Sequence, residues 1–268
     1  MGDGKHKEIK NKKLKTLTLF FIFCMFIILI VVSSIKIINW IKENKKNRDI
    51  IEETLSAVTV ESNTEIDEKH DTNVEKYNVN FEKLRQTNND TVAWLKVNGT
   101  NIEYPVVKTS NNNFYMTHSF DKSYNSAGWV FMDYEDKFDG TDKNIVIYAH
   151  SRRDGSLFGT LKNILTEDWQ NNNNNFIIPF ITEDEKAEYQ VFSVYKIERE
   201  DYYITTNFKN NDEYNKFIET IKSRSIKDFD IEVTNEDKIL TISTCADNNK
   251  YRIVLHAKKI WFEIMQRW

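Results

Sequence analysis

A thiol, an imidazole and a guanidinium stand at the ends of three apolar runs in this chain. Cys245 closes Lys238-Ile-Leu-Thr-Ile-Ser-Thr-Cys245, and His150 closes Asn144-Ile-Val-Ile-Tyr-Ala-His150. Arg252 lies near the start of Tyr251-Arg-Ile-Val-Leu-His-Ala-Lys258, just across a polar loop from Cys245. A thiolate is a nucleophile and a leaving group, and an imidazole trades protons near neutral pH. A guanidinium can hold a developing oxyanion or a peptide carbonyl. Such a trio suits acyl transfer. Cys245 and Arg252 flank the loop of an expected hairpin, where facing Cβ atoms lie about 5 Å apart.

Each residue also has a plainer reading. The chain holds two cysteines, and the other, Cys24, sits in an apolar stretch. Cys245 therefore has no disulfide partner in its own domain, which makes it a core residue or a reactive nucleophile. The strand-mouth position beside Arg252 favours the nucleophile. Arg252 alone reads as a strand-start arginine at a solvated rim, and a lone histidine is often structural. His256 lies inside the last strand, about 13 Å from its mouth at strand rise, too far to share the site. His118 falls in a polar turn, His70 in a polar segment and His6 near the amino terminus. Asp247, two residues past the cysteine, reads as a solvated loop carboxylate rather than a third member of a triad. Zinc needs about four ligands at familiar spacings, and neither Cys-x-x-Cys nor His-Glu-x-x-His occurs. No metal or cofactor is implied.

The elements that would carry these groups are mostly strands. Runs at 102–107, 128–134, 144–150, 176–181, 189–197, 239–245 and 252–260 read as β, with Asn98-Gly99 as a turn. Phe81, Leu84 and Arg85 open a short amphipathic helix, whose apolar pattern continues through Val92-Ala-Trp94-Leu95. Two further helices are expected at Ser156–Leu165 and Tyr214–Ile221. The asparagine run 171–175 reads as a connector. About eight strands with few helices predict a mainly β fold, a closed or nearly closed barrel.

The amino terminus carries a topological signal. Leu17 to Ile35 is almost wholly apolar, long enough to cross about 30 Å of hydrocarbon. Lys5, Lys7, Lys10, Lys12, Lys13 and Lys15 precede it, which predicts a cytoplasmic amino terminus. A cleaved signal peptide is the alternative, but the run is long and no Ala-x-Ala site follows. The expected organisation is a basic tail at 1–16, a transmembrane helix at 17–38, a polar stalk at 39–79 and a folded domain at 80–268. Residues 51–268 carry a net charge of −11, which argues against nucleic acid as a partner.

Thr241-Ile-Ser-Thr-Cys245 followed by Arg252 resembles the sortase signature Thr-Leu-x-Thr-Cys then Arg. Ser243 within it resembles class B. So do Tyr148-Ala-His150 with Asp154-Gly-Ser-Leu-Phe-Gly159, Asn101-Ile-Glu-Tyr-Pro-Val-Val107, Tyr115-Met-Thr-His118 and Ser126-Ala-Gly-Trp-Val-Phe-Met-Asp133. The likeness runs from about Phe81 to the end. Ile242 replaces the usual leucine, the loop Ala246–Tyr251 is short, and the Asp-Pro-aromatic lid of pilus-building sortases is missing.

The resemblance implies an eight-stranded sortase-like barrel and a membrane-anchored cysteine transpeptidase on the outer face of a Gram-positive cell. Cys245 would attack a Thr carbonyl in a carboxyl-terminal sorting signal of a secreted protein. His150 would protonate the leaving amine, and Arg252 would hold the substrate carbonyls. A peptidoglycan amine would resolve the thioester. Ser243 and Thr244 would line the bound peptide. A tethered cysteine protease or amidase that releases its product to water uses the same groups. A non-catalytic surface module with an inert Cys245 is the remaining alternative.

Overall fold

A computed structural model describes residues 3–61, 76–246 and 250–264 of the chain. Two compact units divide it, Met1–Lys46 and Asn47–Trp268. The first is helical and belongs to α1 (Asp3–Leu55). Its apolar residues point outward all round, Phe20, Phe23 and Phe26 among them. A helix apolar on every side has no water-facing surface to offer, and this one is long and apolar enough to cross a membrane.

The second unit is a closed barrel of eight strands. In chain order these are β3 (Thr91–Val97), β4 (Ile102–Val107), β5 (Phe131–Met132), β6 (Asn144–Ala149), β7 (Ile177–Thr182), β8 (Glu185–Glu198), β9 (Ile239–Ala246) and β10 (Tyr251–Ile264). They close in the order β10-β8-β7-β3-β4-β5-β6-β9. A further pair, β1 (Val58–Glu61) and β2 (Lys76–Val79), forms a separate antiparallel ribbon. Closure leaves no open sheet edge in the barrel. Most ladders are antiparallel, but β4 pairs β5, and β6 pairs β9, in parallel. The latter pairing sets the expected proton carrier beside the expected nucleophile.

Several expectations need correction. The short helix α2 (Phe81–Thr87) does not continue its apolar pattern; Val92–Leu95 belong to β3. Asn88 ends the helix at φ −146°, ψ 107°, and its buried side chain donates to the Tyr115 hydroxyl and the Phe120 carbonyl, both at 2.7 Å. A strand buried on both faces shows no alternation, so its sequence cannot be told from a helix face by periodicity. Ser156–Leu165 is not one helix, since only Leu161–Leu165 winds, as a 3₁₀ turn. The run 128–134 shrinks to the two residues of β5. Helix α4 (Asn211–Ser223) extends past both expected ends, and at the amino end the Asn210 side chain caps it by accepting from the Glu213 amide at 2.9 Å. The stretch 39–79, expected as a polar stalk, contributes Ile50, Ala57 and Tyr77 to the core, and Tyr77 packs on Trp94 at 4.8 Å. The asparagine run is structural: Asn172 caps a 3₁₀ turn, and buried Asn175 donates to the Trp169 carbonyl at 3.0 Å.

Two cores result. One fills the barrel with Trp94, Leu95, Val106, Trp129, Ile147 and their neighbours. The other lies outside it, where Phe192, Tyr195 and Val254 of the wall meet Tyr203 and the apolar face of α4. The short helix α3 (Glu167–Gln170) places Trp169 against Phe176 at 5.5 Å.

Candidate active site

Three adjacent strands end side by side at one mouth of the barrel. Arg252 on β10 is the register partner of Cys245 on β9. On the other side of β9, Ala149 of β6 is the partner of Thr244. His150 follows Ala149 as Cys245 follows Thr244, so continuing the parallel register sets the histidine backbone beside the cysteine backbone. The row runs His150, Cys245, Arg252 across β6, β9 and β10. Parallel pairing alone brings residues 95 positions apart in the chain to this end.

The imidazole is held by a turn that the sequence did not advertise. His150 Nε2 lies 2.9 Å from the carbonyl oxygen of Met116. A carbonyl can only accept, so Nε2 carries the proton and Nδ1 is the nitrogen left for proton traffic. Met116 ends the 3₁₀ turn Phe114–Met116, which is braced from several sides. His118 stacks on Phe114 with ring centroids 4.0 Å apart, and its Nδ1 meets the Phe114 carbonyl at 2.8 Å. The Tyr115 hydroxyl donates to Asp90 at 2.7 Å. Gly128 (φ +64°) lets Trp129 reach the Tyr115 carbonyl at 2.9 Å; a Cβ on Gly128 would stand 2.4 Å from that same oxygen. No sequence signal marks a backbone carbonyl as a ligand of histidine. The Tyr115-Met-Thr-His118 string was the available clue.

The loop after His150 folds back at once. The Phe158 amide donates to the His150 carbonyl at 3.2 Å, and the Leu157 amide donates to the Tyr104 hydroxyl at 2.9 Å. Leu157 is fully buried at φ +50°, a conformation that costs a branched residue about 1–3 kcal/mol. Packing of its side chain in the barrel core offsets that strain.

Ser243 and Thr244 are 2% and 3% exposed. The Thr244 hydroxyl donates to the Ala149 carbonyl at 2.6 Å, tying the ends of β9 and β6 together. The Ser243 hydroxyl shares a 3.2 Å hydrogen bond with that of Tyr203. Arg252 is half-buried, with one guanidinium nitrogen donating to the Tyr251 carbonyl at 3.0 Å. His256 is fully buried, bonded at both ring nitrogens to Tyr195 and Thr241. Burial depresses its pKa to about 3, so the ring stays neutral. Asp247 and His70 lie outside the described residues. Among the described residues no cluster of three or more metal-ligating side chains occurs.

A cleft of about 500 Å³ is lined by Asp133 and Tyr134, which follow β5, and by Asp201, Ile204 and Thr205 of the segment after β8. Neither His150 nor Arg252 lines it. Beside it, Tyr148 donates to Asp133 at 2.7 Å, and burial together with that carboxylate holds the phenol protonated far above its ordinary range.

A closed barrel whose parallel β6–β9 seam ends in His150 and Cys245 is the architecture of a cysteine acyltransferase. The sortase domain family matches residues 95–260. Sortase B of Staphylococcus aureus is 34% identical over 183 residues, covering 67% of this chain and 74% of that protein. A crystal structure of a Bacillus anthracis protein described as similar to sortase B superposes with a TM-score of 0.68 at 32% identity, covering 83% of this chain and 98% of that one. A Staphylococcus aureus sortase B–substrate complex matches with a TM-score of 0.63 at 34% identity, covering 68% and 84%. The chain belongs to the sortase family and, within it, to class B, whose members are cysteine transpeptidases of the cell wall.

Proposed function

We propose that this sortase is held on the outer face of a membrane by α1 and joins secreted proteins to a cell-wall amine through Cys245. The row of His150, Cys245 and Arg252 backbones across three adjacent strands is the observation that carries this reading. The Cys245 thiolate adds to the carbonyl carbon of a Thr in a carboxyl-terminal sorting signal. The C–N bond breaks, the leaving amine takes a proton from His150, and a thioester remains. An amine of a peptidoglycan stem or cross-bridge then attacks the thioester, giving its proton to His150 as the thiolate departs. Arg252 steadies the tetrahedral oxyanion and the substrate carbonyls.

The Met116 carbonyl supports this role for the imidazole. It fixes the Nε2–H tautomer and leaves Nδ1 to give and receive the mobile proton. Ser243 and Thr244 act at the seam: Ser243 is the nearer to a bound peptide, while Thr244 holds the strand end that carries His150. The lysines of the basic tail stay cytoplasmic, and the unit from Asn47 onward faces outward.

The test is turnover of the detergent-solubilised full chain on a fluorogenic peptide library with Thr at the scissile position, with and without triglycine. Cleavage with a new amide to triglycine is expected. Cys245→Ala should abolish it, and Arg252→Lys should lower kcat/KM by about 10²–10³, as loss of an oxyanion donor does. Release of free acid alone, unaffected by triglycine, would make the protein a hydrolase instead.

A further inference from the structure

A chain of hydrogen bonds runs through four barrel strands and returns to the segment where it began. The segment is 202–205, between β8 and α4. The Tyr202 hydroxyl meets that of Tyr195 on β8 at 3.3 Å. Tyr195 meets His256 Nε2 on β10 at 2.9 Å, and His256 Nδ1 meets the Thr241 hydroxyl on β9 at 2.8 Å. Thr241 donates to Asn144 Oδ1 on β6 at 2.6 Å. The Asn144 amide nitrogen donates to the carbonyls of Thr205 at 2.9 Å and Tyr203 at 3.5 Å. Asn144, Thr241 and His256 are all fully buried.

The direction of every bond follows from the carbonyl end. Carbonyls only accept, so Asn144 must turn its nitrogen to them and its oxygen to Thr241. Thr241 then spends its one proton on Asn144, and the bond from His256 must come from Nδ1–H. The neutral ring leaves Nε2 bare, so Tyr195 donates to it and in turn accepts from Tyr202. The Tyr195 and Thr241 hydroxyls each donate once and accept once. Such a one-way chain has no slack: removing any member orphans its buried neighbours.

What the chain holds is a wall of the cleft beside the catalytic strand. Ile204 and Thr205 line the cleft, and Tyr203 just before them bonds Ser243, two residues before Cys245. The geometry points to His256 as a positioning residue: with Tyr195, Thr241 and Asn144 it clamps 202–205, so that Tyr203 holds Ser243, the residue proposed to lie near the bound peptide, in its place on β9. The inference deepens the transpeptidase reading and rests on it for the substrate. The clamp itself stands on the hydrogen-bond chain.

The test uses the full-length protein in detergent, with Thr241→Val, Tyr195→Phe, their double variant and Thr241→Ser. Backbone hydrogen exchange over 201–207 and the kcat and KM for the peptide selected from the library are read together. Each single cut removes two hydrogen bonds of the chain and should speed exchange there at least about tenfold and raise KM about fivefold, with kcat changed less than twofold. The double variant should fall short of the combined single effects, because both cuts release the same segment through His256, and Thr241→Ser should restore both readings. Unchanged exchange at 201–207, additive effects, or a serine that behaves like valine would overturn the clamp. If Thr241→Val does not fold, Tyr195→Phe cuts the chain on the other side of His256 and decides alone. A wild type that processes no library peptide would sink the enzymatic reading, and exchange would still judge the clamp.

Discussion

Thr244 stands one residue before Cys245, a motif position that suggests contact with substrate, yet its hydroxyl is committed to the Ala149 carbonyl at 2.6 Å. Thr244→Val keeps the shape and removes that bond. It should cost about 1–2 kcal/mol in urea unfolding and lower kcat by roughly tenfold, because the end of β6 carries His150. Thr244→Ser should recover most of both. A valine variant with wild-type turnover would show that the seam does not set the histidine. The candidates Cys245, His150 and Arg252 stand out in the sequence because a thiol, an imidazole and a guanidinium at strand ends have few joint uses. A backbone carbonyl such as that of Met116, or a hydroxyl turned inward like that of Thr244, has no sequence signature.

Elements were legible where one face meets water and illegible where none does. The amphipathic α4 and the Asn98-Gly99 turn stand out in the sequence, and Gly99 adopts the required φ of +71°. Strand β3 does not, since burial on both sides erases the alternation that betrays a strand. The parallel pairing of β6 with β9 also lies beyond local pattern, because α3, β7, β8 and α4 all intervene between the two strands in the chain. Gly128 tests how an element positions the site. Alanine there meets both an unfavourable φ and the Tyr115 carbonyl at 2.4 Å, so the turn bearing Met116 must shift. Gly128→Ala should cost about 2–4 kcal/mol and slow thioester formation. Gly140→Ala is the matched control: its φ is +84° but a Cβ would meet nothing within 4 Å. It should cost about 1–2 kcal/mol and leave the chemistry alone. Equal losses of activity in both would detach the Met116 turn from catalysis.

At the scale of the whole molecule, two buried groups tilt stability against pH in opposite senses. His256 is depressed by burial to about 3 from an ordinary 6.5. Its contribution is complete above pH 6.5 and is lost as pH falls toward 3, because the unfolded chain binds the extra proton. Asp136 is raised to about 8 from 3.8, chiefly by burial, then by the neighbouring carboxylates Asp133 and Asp142, against hydrogen bonding from Val146 and the charge of Lys108. One of its oxygens accepts from the Val146 amide at 2.9 Å, and the other is buried without a hydrogen bond among the described residues. Its contribution is complete below pH 3.8 and is lost as pH rises toward 8. Between 3.8 and 6.5 the two slopes, each at most about 1.4 kcal/mol per pH unit, oppose one another. From 6.5 to 8 the aspartate slope stands alone. Asp136→Asn keeps the shape and cannot ionise, so the gap in unfolding free energy between variant and wild type should widen in the variant's favour from pH 4 to 8 and stay level above 8. Urea titrations at half-unit pH steps measure it. A gap that does not change with pH would mean that the aspartate ionises as readily in the fold as in the open chain, and that β6 is not built upon a buried carboxylic acid.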